Sequence, residues 1–258
     1  MLTRNQVRHI SELRNSSYRR EAGLYLAEGN RLVVDMIHSG ADIVAIYARE
    51  SWLFQYSGLC RLKGITTRLI SEEYMGKMTA LTTPSPVLAV VKIPSPPLSE
   101  IPMLTNLILL LEDIKDPGNM GTIIRTADWF GIRHILRTPG SVDIYNSKVV
   151  QATMGSIVRV KQYEMNAVEW LNTLPTGVPV FGTVLSGDNI YQSTLAQSGV
   201  IVIGNESRGI SEEIQALLTT RLTIPTGVSE GLTAESLNAG VAAAIVMSEF
   251  SRRRSPSV

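Results

Sequence analysis

The run Asn119-Met120-Gly121-Thr122-Ile123-Ile124-Arg125-Thr126-Ala127 places an amide, a glycine and a guanidinium within one short stretch. Asn119 and Arg125 are six residues apart, so they do not share a face of an ideal helix. Asn119 reads as the helix N-cap or as part of the loop just before it, and Arg125 then falls near the end of the second turn. Upstream, Leu107-Ile108-Leu109-Leu110-Leu111 reads as a buried parallel strand, ended by the turn Asp116-Pro117-Gly118. The polar groups therefore arrive at the carboxyl end of a strand, where open α/β sheets bind their ligands.

Two later segments carry polar groups in the same way. Val200-Ile201-Val202-Ile203 runs into Gly204-Asn205-Glu206-Ser207-Arg208-Gly209, with Ser211 placed to cap the next helix. Gly204 permits a close backbone approach to a ligand. Leu222-Thr223-Ile224 is ended by Pro225, and Glu235-Ser236-Leu237-Asn238 opens a helix carrying Gly240, Ala242, Ala243 and Ala244. Small residues on a helix let a second backbone approach, either inside the domain or at an interface. No Gly-x-Gly-x-x-Gly fingerprint follows the first strand of either part, and there is neither a phosphate-loop pattern nor a Gly-x-Ser-x-Gly elbow. Dinucleotide oxidoreductases, P-loop NTPases and α/β-hydrolases lose support accordingly.

The elements that must position these groups form two parts. Residues 1–93 read as a small α/β domain, 94–104 as a Pro-rich linker and 105–258 as the larger domain. Four prolines between Pro94 and Pro102 cannot continue a helix or a central strand. In the first part, Thr3 and Gln6 make a capping-box pattern before Val7, Ile10 and Leu13. A helix follows Glu28-Gly29-Asn30, strands cover 43–47 and 87–91, and 71–80 is helical. In the second part, strands are expected at 107–111, 133–137, 179–185, 200–203 and 221–224, with helices at 119–130, 147–154, 165–173, 211–219 and 235–252. Such alternation argues a parallel sheet covered on both faces.

Composition narrows the chemistry further. The 258 residues carry a net charge of +1, which alone does not point to nucleic acid. Charge is clustered, however: Arg4, Arg8, Arg14, Arg19 and Arg20 open the chain and Arg252-Arg253-Arg254 stand near its end. Clusters of this kind can meet phosphates or simply face solvent. Cys60 is the only cysteine, and His9, His38 and His134 show no paired ligand spacing, so no metal site is expected. No signal peptide or membrane-length apolar run is evident, and the default expectation is a cytoplasmic protein without membrane association.

Together the three segments resemble the SpoU/TrmH family of RNA ribose 2′-O-methyltransferases within the SPOUT superfamily. The likeness spans about residues 106–253 and includes Ser147-Lys148-Val149-Val150 and Ala152-Thr153-Met154-Gly155. The resemblance implies a parallel α/β domain with a deep trefoil knot, S-adenosylmethionine as cofactor and a homodimer. Carried over by motif, cofactor binding falls to Thr183, Gly204, Asn205, Ile224 and Leu237. Catalysis falls to Arg125 as base or electrostatic activator, with Asn119, Ser236 and Asn238 orienting it and the ribose. Glu206 would fix the arginine or support the cofactor loop.

The first part resembles the small RNA-binding domain of certain ribosomal proteins, chiefly through Glu28-Gly29-Asn30-Arg31-Leu32-Val33. RNA contact is thus expected from Arg4, Arg8, Arg19, Arg20 and Arg31. Ribosomal RNA is the favoured substrate, with transfer RNA or a non-catalytic dimeric RNA-binding role as alternatives. Two departures stand out: Thr226 to Thr233 is longer than is common in the family, and Ser207 replaces a frequent glycine.

Overall fold

A computed structural model describes residues 2–228 and 234–253. The chain divides into two compact units, one made of Met1–Pro94 with Asp143–Arg159, the other of Ser95–Val142 with Val160–Val258. Sequence reading placed 105–258 in one domain, whereas contacts group 143–159 with the first unit.

The first unit opens with α1 (Arg4–Glu12), where Thr3 and Gln6 form the expected capping box. Then come α2 (Ser16–Ala22), β1 (Leu24–Glu28), α3 (Asn30–His38), β2 (Ile43–Ala48), α4 (Glu50–Leu62), β3 (Thr67–Leu69), α5 (Glu72–Met78) and β4 (Val87–Lys92). The four strands lie in the order β1-β4-β2-β3, antiparallel except for the β2–β3 pair. Val7, Ile10, Leu13, Met75 and Met78 pack on Leu26, Ala45, Tyr47 and Val90 to form its core.

The second unit holds β5 (Leu107–Leu111), α6 (Pro117–Trp129) and β6 (His134–Arg137). The chain then passes through α7 (Ser147–Thr153), which belongs to the first unit. There the Arg19 guanidinium pairs with Asp143 and donates to the carbonyls of Leu13 and Arg14. The Gln151 amide donates to the Glu28 carbonyl, and Arg159 pairs with Asp35 at 2.9 Å. These polar ties hold the segment, which is why a helix read as part of the sheet domain sits elsewhere.

The second unit resumes with β7 (Lys161–Glu164), α8 (Ala167–Leu171), β8 (Val180–Asn189), β9 (Gly199–Ile203), α9 (Glu212–Gln215), β10 (Thr220–Thr223) and α10 (Ala239–Arg252). Its six strands run in the order β10-β8-β9-β5-β6-β7, all parallel. Leu107–Leu111 and Gly199–Ile203 are buried throughout, as strands covered on both faces must be. The chain moves from β5 toward β6 on one side and returns to β9 on the other. The β5–β9 pair is therefore the topological switch point of the sheet.

Three sequence expectations are corrected by local chemistry. The helix expected from 235 begins at Ala239, because the Asn238 side chain caps it, accepting from the Gly240 and Val241 amides. Asp116, not Asn119, caps α6: its carboxylate accepts from the Asn119 N–H at 2.8 Å, and Pro117 takes the first helical turn. Ser211 occupies the cap of α9, but its side chain makes no cap bond, and its N–H donates to Glu112 instead. Among the described residues, no helix is long and apolar enough to cross a membrane.

Candidate functional site

The turn after β5 reverses through Asp113, a non-glycine residue with φ of +53°. The left-handed conformation costs free energy that the surroundings must offset. Every polar atom of Asp113 is engaged. Its N–H donates to the Thr138 hydroxyl at 2.9 Å, and that hydroxyl donates back to Oδ1 at 2.7 Å. Its carbonyl accepts from the Asn205 amide at 2.8 Å, and Oδ2 accepts from Arg208 at 3.0 Å. One residue thus ties the carboxyl ends of β5, β6 and β9. The sequence motifs do not single it out; it is one of three acids, Glu112, Asp113 and Asp116, between the strand and Pro117-Gly118.

The loop after β9 closes on itself. Asn205 and Gly209 exchange both backbone hydrogen bonds, at 3.0 and 2.9 Å. A side chain at Gly204 would bring its Cβ within 2.3 Å of the Gly209 carbonyl carbon, so the return of the loop requires glycine there. The Asn205 carboxamide oxygen accepts from the amides of Ser207 and Arg208. This side chain is committed to shaping the loop.

From this loop Glu206 reaches α6. Its Oε1 accepts from the Asn119 amide at 3.0 Å, and its Oε2 accepts from the Lys115 N–H at 3.5 Å. Asn119 in turn accepts from the Asn238 amide at 2.8 Å. A chain Glu206–Asn119–Asn238 therefore joins the three sequence segments at one end of the sheet. Asn119 lies buried in the first turn of α6. Close helix packing completes the arrangement: a Cβ at Gly240 of α10 would come within 3.3 Å of the Thr122 methyl of α6, tighter than ordinary contact. At Gly240, then, the small residue serves packing inside the unit.

The expected constellation is only partly assembled. Asn119, Glu206 and Asn238 are brought together, but Arg125 and Ser236 stand outside their hydrogen-bond chain and are exposed. Asn119 and Glu206 hold each other rather than the arginine, because α6 turns Arg125 away from Asn119. Of the cofactor candidates, Thr183 donates to the Val202 carbonyl at 2.6 Å, locking β8 to β9. Ile224 is half-buried and Leu237 is exposed, so both keep apolar surface that the core does not use.

Residues 106–248 match the model of the SpoU rRNA Methylase family. The chain belongs to that family. A second match covers residues 4–89 of this SpoU family member, to the MRM3-like substrate binding domain. The chain is similar to the 23S rRNA (guanosine(2553)-2'-O)-methyltransferase RlmP of Bacillus subtilis, with 29% identity over 94% of each chain. A TrmH-family protein from Porphyromonas gingivalis matches with a TM-score of 0.86 and 37% identity, covering 98% of this chain and 99% of that one. The AdoMet-bound rRNA methyltransferase from Sinorhizobium meliloti matches with a TM-score of 0.84 and 27% identity, covering 98% of this chain and 96% of that one.

The arginines expected to bind RNA in this SpoU family member divide by environment. Arg19 is buried and fully occupied by Asp143 and two carbonyls, so it is corrected from RNA contact to a structural ion pair. Arg8 pairs with Glu12 at 3.2 Å, while Arg4, Arg20 and Arg31 are exposed. Arg252 and Arg253 are held by Glu249, and Arg254 and the loop residues Ser229 to Thr233 lie outside the described residues.

Proposed function

We propose that this chain transfers a methyl group from S-adenosylmethionine to a ribose 2′-hydroxyl of ribosomal RNA, acting as a cytoplasmic homodimer. The observation that carries the reading is the Glu206–Asn119–Asn238 chain at the switch point of a parallel sheet, in a chain of the SpoU family. The residues fit the cofactor. Ile224 and Leu237 offer apolar surface for an aromatic ring, and the Gly204 approach leaves backbone rather than side chain at the end of β9. The trefoil knot implied by the family likeness belongs to the same proposal. When bound, the cofactor supplies an electrophilic methyl group on a sulfonium.

The chain's own residues do the positioning. The 2′-hydroxyl must approach in line, so orientation supplies a large part of the rate. The O–CH3 bond forms as the S–CH3 bond of the sulfonium breaks, solvent water takes the 2′-hydroxyl proton, and the Arg125 guanidinium stabilises the alkoxide by donating hydrogen bonds to it. It also anchors the adjoining phosphate by charge-assisted hydrogen bonds. Asn119 fixes the start of α6, and hence the direction in which Arg125 is presented. Support for the homodimer comes from apolar surface beside Arg125: Trp129, one turn further on α6, is 85% exposed, and Val241 on α10 is also exposed. A surface of this kind marks an interaction site.

The test is titration of the purified protein with S-adenosylmethionine by calorimetry. Transfer of labelled methyl to unmodified large-subunit ribosomal RNA and mapping of 2′-O-methylated nucleotides then follow. One cofactor per subunit with a ribose product is expected. A folded protein that binds no cofactor with or without RNA, or one that methylates a base, overturns the reading. Sedimentation in solution tests the homodimer.

A further inference from the structure

We infer that the outer face of α4, with Phe54 and Leu62 flanked by Arg61 and Lys63, docks unpaired nucleotides of the RNA substrate. The inference rests on the RNA methyltransferase reading and adds a contact surface to it.

The helix has apolar residues on two sides, and the fold uses only one of them. Its inner side is anchored: Trp52 and Cys60 are buried, Trp52 donates from its indole N–H to Asn30 at 2.9 Å, and the Trp52 and Tyr56 rings lie 4.9 Å apart. The other side carries Phe54, 93% exposed, and Leu62, 86% exposed. Phe54, Gly58, Arg61 and Leu62 stand at i, i+4, i+7 and i+8, along one side of the helix. On the edge strand next to this helix, Leu69 is exposed as well. None of these apolar groups contributes to the core of the unit, so the fold does not account for their presence.

Charge selects the partner. From Ser51 to Ser71 the chain contains no acidic residue, yet it carries Arg61, Lys63 and Arg68. Four exposed cations of this unit are matched, Arg8 with Glu12, Arg49 with Glu72, Lys77 with Glu73 and Lys92 with Asp42, whereas Arg4, Arg20 and Arg31 are exposed without such a partner among the described residues. Arg61, Lys63 and Arg68 are exposed and form no ion pair among the described residues. An aromatic ring fully open to solvent beside unmatched cations suits a base stacked on the ring with its phosphates against the charges. Double-stranded RNA would leave the ring unused, so the occupant is an unpaired segment. The match of residues 4–89 to a substrate binding domain is consistent with that assignment.

The experiment uses the full chain and an unmodified large-subunit ribosomal RNA transcript that the wild type methylates. Phe54→Ala and the double variant Arg61→Gln with Lys63→Gln are compared with wild type. All three side chains are exposed, so each variant should keep its cofactor affinity and melting temperature. Phe54→Ala is expected to raise KM for RNA by about fivefold or more with kcat unchanged, the loss that removing one stacking platform produces. The double variant is expected to reduce the slope of log affinity against log salt by about 1.4. Unchanged KM and salt slope in both variants would overturn the proposal. So would a change of subunit stoichiometry instead of RNA affinity, which would make the face a protein interface. Absence of methylation by the wild type would instead remove the underlying methyltransferase reading, and the two failures are thus distinguishable.

Discussion

Asp113 and Arg208 form an ion pair at 3.0 Å between the turn after β5 and the loop after β9. The arginine is largely exposed and the carboxylate is not, so the pair alone contributes little to stability. Its importance is geometric. Asp113 also bonds Thr138 and Asn205, and these contacts fix the loop from which Glu206 reaches Asn119.

Replacing Asp113 should therefore impair the site more than the fold. Asp113→Ala is expected to weaken cofactor affinity by about tenfold, equivalent to roughly 1.4 kcal/mol. Asp113→Asn, which tolerates the left-handed turn and keeps one carbonyl oxygen, should lose less. Calorimetric titration of both variants checks the order, and equal affinity in all three proteins would refute it.

Arg125 and Asn119 should separate by their surroundings. Arg125 is exposed and outside the hydrogen-bond chain, so Arg125→Ala is expected to keep the wild-type melting temperature while kcat falls about 10²- to 10³-fold. Asn119 is buried with two side-chain partners, so Asn119→Ala should lower both activity and melting temperature. Thermal melts beside single-turnover methylation distinguish the two.

Arg19 is expected to matter for stability and not for salt-dependent RNA binding. Burial pushes the Asp143 carboxyl up, but hydrogen bonds from Arg19, the Tyr145 amide and Ser16 bring it below its ordinary value. Arg19→Ala leaves that carboxylate without its cation, and the cost of breaking such a buried pair is about 3–5 kcal/mol. Urea unfolding should register this loss, whereas Arg4→Ala and Arg20→Ala should leave the midpoint unchanged.

Acid should loosen the end of α10. Hydrogen bonds from Arg252 and Arg253 hold Glu249 at about 2, against an ordinary 4.5, although burial opposes them. The folded value lies below the unfolded one, so this stabilisation is complete above pH 4.5 and is lost as pH falls toward 2. Glu249→Gln should lower the melting temperature at pH 7 by roughly 2–8 °C. The variant should also show a shallower loss of stability between pH 4.5 and 2 than the wild type. Melting curves across that interval provide the check.

Much of the sheet was legible because its strands are extreme. Leu107–Leu111 has no polar residue, and the turn chemistry of Asp116-Pro117 leaves no doubt where the strand ends. β7, with the sequence Lys-Gln-Tyr-Glu, was not found, since an edge strand with exposed ends carries no aliphatic run. β1 and α4 were also missed; Leu24–Glu28 carries no unbroken aliphatic run, and α4 is apolar on two sides and lacks one clean stripe. Asn119, Glu206 and Asn238 were selected individually, yet their mutual bonding was not readable. The partners are 87 and 119 residues apart, and only the fold of the sheet brings them together. Arg19 was misjudged for a related reason: an arginine in a basic cluster gives no sign that Asp143, 124 residues later, will enclose it.

The chain passes from one unit to the other at Pro94, returns after Val142, and leaves again after Arg159. Neither unit is encoded by one uninterrupted stretch. A gene fusion or truncation at the proline-rich linker would therefore strip the first unit of α7, together with the carboxylate that neutralises Arg19. It would leave the second unit carrying a seventeen-residue excursion with nothing to rest on. Separating the two units of this chain cleanly would therefore take three cuts, at Pro94, Val142 and Arg159.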